Sequence, residues 1–324
     1  MNRWLHHISR RDRAGDGRSG GWYDWYRRGL GVVLLTAFAP LLPYAPELFS
    51  AAGLFDAELL RLHPHGSGLS VYDITTGAAR HLGWPSYLTV YALATGYLAA
   101  CVALIAGWQT RPAAVVLMLL HHMFFLAVPI YNYGYDFLAL SALFYCAVYD
   151  RRWAFLTLRI LQVHLCAVYF FGGLNKAIGY TWHNGEALWK AMQQPIGEPL
   201  IRGMALLPLP GLWAALGWGV VALELSYAVG IWWRPVRRWV LAGTIAMHIG
   251  IALCLGLYAF SGLMTLLNLA AFYFPYLNDS ACPPPEPSVQ VRRATGVTAA
   301  SSGETPACNT SSTYVAGVPP EKPP

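Results

Sequence analysis

Apolar residues fall along this chain in long runs separated by short polar breaks. The runs cover about 30–44, 86–107, 112–130, 135–149, 154–176, 211–233, 237–256 and 258–275. A helix rises 1.5 Å per residue, so about 20 apolar residues match the hydrocarbon thickness of a bilayer. No stretch alternates apolar and polar positions as a half-buried strand would. Inside lipid every backbone polar group must be satisfied internally, which leaves helices as the reading. The pattern predicts an all-α fold, a polytopic transmembrane helical bundle of about eight spans.

Composition sharpens this. Of 324 residues, 56% are hydrophobic and 12% charged, about half the charged share of a soluble chain. The net charge of +6 is unevenly placed: Arg3, Arg10, Arg11, Arg13, Arg18, Arg27 and Arg28 crowd the start. Such a cluster before a span suits anionic lipid headgroups on the cytoplasmic face, and no nucleic-acid partner is expected. The chain divides into a basic N-terminus (1–21), a transmembrane domain (22–277) and a tail rich in Pro, Ser and Thr (278–324). That tail is expected to be disordered, having too little apolar surface to order itself. Ala37-Phe38-Ala39 has the small-residue pattern of a cleavage site. The apolar run continues past it and further spans follow, so a retained first span is expected.

Basic residues also set the expected orientation. Arg111, Arg151-Arg152 and the Arg234, Arg237, Arg238 group occupy every second connection. By the positive-inside rule both termini are cytoplasmic, in a multi-pass protein of the plasma membrane. Two outer connections are long, 46–85 and 177–210, and the first is expected to hold a short interfacial helix around Asp56–Leu62. Cys101, Cys146, Cys166 and Cys254 lie inside apolar runs, and no CxxC pair exists. Neither a disulfide framework nor a metal site is expected.

Ionisable groups at membrane depth are costly, which makes them candidates for function. Here they are His121, His122, His164, Lys176, Glu224 and His248, with Asp136 near an outer end. Gln162, Tyr169 and Lys176 recur every seven residues, so they stack on one side of a helix, with Gly172 and Gly173 on the same side. A lysine at a span end can simply snorkel to the headgroups. A polar stripe beside two glycines reads better as a cavity wall, where a desolvated lysine could act as a base. Glu224, near mid-span, must be paired, neutral or facing water, and a histidine is its expected partner. His164 is expected to make an interhelical hydrogen bond. His121 and His122 point about 100° apart, so at least one is structural. Haem ligation by His121, His164 or His248 stays open. The run Tyr131-Asn132-Tyr133-Gly134-Tyr135-Asp136 reads either as an aromatic interfacial belt or as part of an outer cavity mouth. On the second reading Asn132, Asp136, Lys176 and Trp182 converge on the outer side.

One segment carries a family resemblance. Arg159-Ile160-Leu161-Gln162, then Tyr169 through Lys176, then Trp182, Gly185 and Ala187-Leu188 resemble the horizontally transferred transmembrane (HTTM) family. These are bacterial relatives of vitamin K-dependent gamma-glutamyl carboxylase. Gly53-Leu54-Phe55, Asn132 to Asp136, and Met247-His248-Ile249-Gly250 with Phe260-Ser261 agree, so the resemblance spans about 22–276. It implies a reduced quinone as cofactor, Lys176 as the base that deprotonates it and Asn132 as a positioning donor. Gln162, Tyr169, Gly172, Gly173, Trp182, Asp136, His248 and Glu224 are then the expected substrate- or quinone-binding residues. Asn132 matches the carboxylase's Asn-Asn-His element, while Tyr133 stands in place of its histidine. The carboxylase also recognises its protein substrate through a sizeable domain after the spans. Only the tail stands there here, so a peptide substrate would need a docking subunit. Quinol-linked oxidation, carboxylation, or action on another lipid-like substrate are the enzyme readings. The family also has members resembling the sporulation-delaying B protein, so a non-enzymatic partner in maturation or export of a secreted peptide is the alternative.

Overall fold

The structure, a computed structural model, describes residues 21–50, 53–54, 69–126, 132–193 and 209–276. Among these there are helices and no strand. The elements are α1 (Gly21–Phe38), continued by a 3-10 turn (Ala39–Tyr44) into α2 (Ala45–Phe49), α3 (Val71–Leu82), α4 (Ser86–Ala106) and α5 (Thr110–His121). A π-turn (His122–Leu126) ends α5. Then come α6 (Gly134–Val148), α7 (Ala154–Ile178), α8 (Tyr180–His183), α9 (Glu186–Met192), α10 (Pro210–Gly230), α11 (Arg234–Leu255) and α12 (Tyr258–Phe272). Among the described residues, five segments are long and apolar enough to cross a membrane: Gly21–Phe49, Ser86–Ala106, Arg151–Ile178, Pro210–Gly230 and Arg234–Leu255. Thr110–Phe125, Gly134–Val148 and Tyr258–Phe272 are apolar but shorter. The chain therefore has the character of a helical membrane protein.

Helix ends follow from local chemistry. Ser70 and Asp73 form a reciprocal capping box at the start of α3, and Gly83 ends that helix in the left-handed region (φ 67°). Three arginines cap C-termini from a distance. Arg27 donates to the carbonyls of Leu104 and Ile105 (2.9 and 3.0 Å) at the end of α4. Arg111 donates to the Tyr149 carbonyl just past α6, and Arg237 to the Ile231 carbonyl just past α10. Each satisfies carbonyls that a helix leaves unpaired, and each puts positive charge at the negative end of the dipole. Arg111 also pairs with Asp150, whose carboxyl is held below its usual range, first by the N–H of Arg152 and then by Arg111.

Two expectations on element boundaries are corrected. The first helix begins at Gly21, well before the apolar run at 30. Its opening turns are aromatic and basic, yet Trp22, Tyr26 and Arg27 are buried. Tyr23 stacks on Tyr149 and Tyr26 donates to the Ala142 carbonyl (2.9 Å), so packing on α6 extends the helix where hydropathy falls. The two long connections, 46–85 and 177–210, are also more helical than expected, holding α3 in one and α8 and α9 in the other. The expected helix at Asp56–Leu62 and the tail lie outside the described residues.

Packing runs through α12. It touches α1, α6, α7 and α11, and more than half of it is buried, including Ser261 and Asn268. A 15-residue helix is about 22 Å long, short of a bilayer's hydrocarbon core, and its neighbours enclose it. On one side lie α1, α4, α5 and α6; on the other lie α7, α10 and α11. The most extensive helix contact joins α7 to α10. Gly173 permits it: a Cβ there would sit 2.9 Å from Glu224 Cβ and 3.0 Å from the Leu225 nitrogen. Small residues bring membrane helices this close. Gly173→Val is expected to destabilise the protein by about 2 kcal/mol through overpacking. Thermal unfolding in detergent measures this, and an unchanged melting temperature would mean that α7 and α10 are not pressed together here.

Candidate functional site

The contact between α7 and α10 encloses two charges. Lys176 Nζ lies 2.9 and 2.7 Å from the two carboxylate oxygens of Glu224. The Glu224 side chain is 9% exposed and that of Lys176 25%. Neither charge would be tolerated alone in apolar surroundings, so the partners stabilise each other. The expected histidine partner of Glu224 is thus corrected to Lys176. Nor does the lysine snorkel: beyond it the chain turns through α8 and α9, which pack beside α10. The Trp182 ring, from α8, lies over the ammonium at 5.4 Å, in reach of a cation–π contact. Gly217 on α10 lets the α8 backbone come close at Trp182.

Among the described residues, a Cβ on Gly172 would meet only Glu224 Oε2 (3.6 Å) and Lys176 Nζ (3.7 Å). Gly172 is half-buried, so a small group can reach both charges across it.

Two turns back along α7 from Lys176, Tyr169 anchors a buried hydrogen-bonded chain. The Asn268 amide nitrogen donates to the Met264 carbonyl (2.8 Å) and to the Tyr169 hydroxyl (2.7 Å), which fixes which way the amide faces. Its oxygen accepts from the Tyr227 hydroxyl (2.7 Å). Tyr169, having accepted from Asn268, directs its own hydrogen to His248 Nε2 (2.7 Å). The imidazole proton then sits on Nδ1, which is buried and has no partner among the described residues. Lys176 is near enough to His248, and Glu224 to Tyr169, for their charges to act on them. The fold therefore gathers Lys176, Glu224, Tyr169, His248, Gly172, Gly173 and Trp182 into one neighbourhood.

Three other expected residues lie elsewhere. Gln162 is fully buried, but it accepts from Arg159 (2.9 Å) and donates to the Ala271 carbonyl (2.6 Å). It stands about 21 Å down the helix from Lys176, so it shares the face and not the site. Asp136 belongs to a separate cavity of about 600 Å³, on whose wall Lys176 does not appear. Asn132, two residues before α6, is half-buried and does not line that cavity either. The expected convergence of Asp136 and Lys176 is therefore not what the fold produces. His164 does make an interhelical bond, to the Tyr145 hydroxyl (2.9 Å). His121 is held by Tyr97 (3.0 Å) and lies 3.2 Å from Asp136. Among the described residues no group of three or more His, Cys, Asp or Glu could hold a metal ion.

Asn268 and Tyr227 are the residues that sequence reasoning passed over. Both sit in apolar runs, and attention to ionisable groups alone misses an amide and a phenol. A mid-span Asn was the available signal, since an amide in a membrane helix must find partners.

In comparisons with known proteins the chain matches no family model, no curated protein and no solved structure.

Asn268→Leu strands two tyrosine hydroxyls in the core and is expected to cost about 2–3 kcal/mol. Tyr227→Phe removes one hydroxyl from the end of the chain and is expected to cost about 1 kcal/mol. Chemical unfolding of the two variants side by side tests the ranking; the reverse order would refute the chain of bonds.

Proposed function

We propose that this is an eight-span protein of the plasma membrane with both termini cytoplasmic, and that it handles a proton on a lipid-soluble quinol at the Lys176–Glu224 pair. The eight spans are α1, α4, α5, α6, α7, α10, α11 and α12, with α2, α3, α8 and α9 in the outer connections. The capping arginines support this orientation, because Arg27, Arg111 and Arg237 serve the ends of α4, α6 and α10, which run the same way. Reporter fusions after residue 276 and within 177–210 are expected to report cytoplasmic and outer locations respectively. The opposite pattern would invert the topology.

The observation that carries the chemical reading is the pair itself, reachable across Gly172. A hydroxyl arriving there meets the amine. The lysine passes its proton to Glu224, and the neutral amine takes the proton of the hydroxyl, whose oxygen keeps the electron pair. Glu224, by taking up the lysine's proton, keeps the number of buried charges at two, the deprotonated oxygen replacing its carboxylate as the partner of the ammonium. His248 and Tyr169 lie alongside as the next groups able to pass a proton on. The likeness of the segment around Lys176 to HTTM proteins makes a quinol the favoured substrate, with oxidation, with or without carboxylation, as the outcome. A peptide-maturation partner remains the second reading, favoured by Tyr133 where the carboxylase has histidine.

Oxygen uptake by purified protein supplied with a reduced menaquinone analogue separates the two. The quinol reading expects uptake that Lys176→Ala lowers by about a hundredfold or more, as loss of a general base does. Gly172→Leu, which fills the approach, is expected to lower it as strongly. Absence of uptake in the wild type would favour the peptide partner.

A further inference from the structure

The cavity at Asp136 is a separate feature, independent of any role for Lys176. It lies among α1, α4, α5, α6 and the first turns of α12, and holds about 600 Å³, within the range of small-molecule sites. Its walls are largely apolar, with Phe38, Phe49 and Phe125 among them. Ala259 and Gly262 of α12 line it, whereas Asn268 of the same helix bonds to Tyr169.

Two ionisable groups face this apolar space. His121 is completely buried and Asp136 is 1% exposed, and both line the cavity. Tyr97 occupies His121 Nδ1, and donation from its hydroxyl leaves the imidazole hydrogen on Nε2. Nε2 lies 3.2 Å from Asp136 Oδ1 yet makes no aligned hydrogen bond to it. The other carboxylate oxygen, Oδ2, accepts from the Tyr133 N–H (2.9 Å). At the cavity wall a buried donor without an aligned acceptor thus sits beside a buried carboxylate oxygen. A buried donor left this way is costly, and a ligand that accepts from it removes the cost.

We propose that the cavity binds an uncharged lipophile bearing a hydroxyl group, whose oxygen accepts from His121 Nε2–H and whose hydrogen is donated to Asp136 Oδ1. A pure hydrocarbon would fill the space and leave the His121 N–H unpaired. A carboxylate would face the charge of Asp136. A single hydroxyl is both donor and acceptor, and so meets the two together.

The test is saturable binding of tritiated para-octylphenol to the full chain in nanodiscs, over empty nanodiscs, with octylbenzene and octanoate as competitors. One saturable site is expected, with both competitors about tenfold or more weaker than unlabelled para-octylphenol. Asp136→Asn retains an acceptor for the Tyr133 N–H and is expected to weaken binding about tenfold. Gly262→Leu fills the cavity from α12 and is expected to abolish binding. A Cβ at Gly262 makes only an ordinary contact with Val33 (3.8 Å), so the fold has room for the start of that side chain. Melting temperatures identify any variant that fails to fold, and each of the two is read only if folded. Lys176→Ala should bind as the wild type does, whatever it does to oxygen uptake. Equal competition by octylbenzene, no saturable site, or undiminished binding by folded Gly262→Leu would each overturn the proposal.

Discussion

Two opposite charges held between apolar helices constrain this molecule more than any other contact. Lys176 and Glu224 meet at 2.7 Å on α7 and α10. Carrying either charge alone into hydrocarbon would cost several kcal/mol, so each helix can occupy its place only with the other beside it. That requirement propagates. The helices must approach closely, which calls for Gly173 at the contact. The chain after Lys176 must come back over the pair, which puts Trp182 against the ammonium and calls for Gly217 beneath the α8 backbone. Two turns back along α7 lies Tyr169, whose hydroxyl joins α7 to α11 through His248 and to α12 through Asn268.

α12 turns these local contacts into a division of the bundle. It is the helix shared by the cluster around Tyr169 and by the cavity around His121 and Asp136. The two regions use polar groups differently. Around Tyr169 the Asn268 amide, two tyrosine hydroxyls and His248 Nε2 engage one another in a chain of hydrogen bonds. At the cavity, donor and acceptor lie side by side without engaging well. The first arrangement fixes helices against one another, and the second suits something that comes and goes.

Much of the helix layout was legible in the chain, because hydrocarbon thickness and backbone satisfaction leave few choices for an apolar run. The run at 86–107 became α4 at Ser86–Ala106, and that at 154–176 became α7 at Ala154–Ile178. Legibility failed where tertiary packing overrode hydropathy, as in the aromatic opening of α1. The heptad spacing of Gln162, Tyr169 and Lys176 gave one helix face, but a face is longer than a site. Arg159 and the Ala271 carbonyl claim Gln162 at one end, and Glu224 claims Lys176 at the other. Partner choice across helices was illegible. Nothing in the spacing of Glu224 says that Lys176, rather than a histidine, will stand opposite, since that depends on which helices become neighbours. The same holds for Asp136, placed by sequence near an outer mouth and by packing against His121.

The measurement that tests the account most directly is a double-mutant cycle on that ion pair, using Lys176→Met, Glu224→Leu and both together. Each single change strands one buried charge, whereas the double change leaves an apolar contact of similar size. Each single variant is expected to lose about 3 kcal/mol and the double variant no more than either single, a coupling of about 3 kcal/mol. Additive losses, or single variants as stable as the wild type, would show that the two charges do not hold α7 against α10.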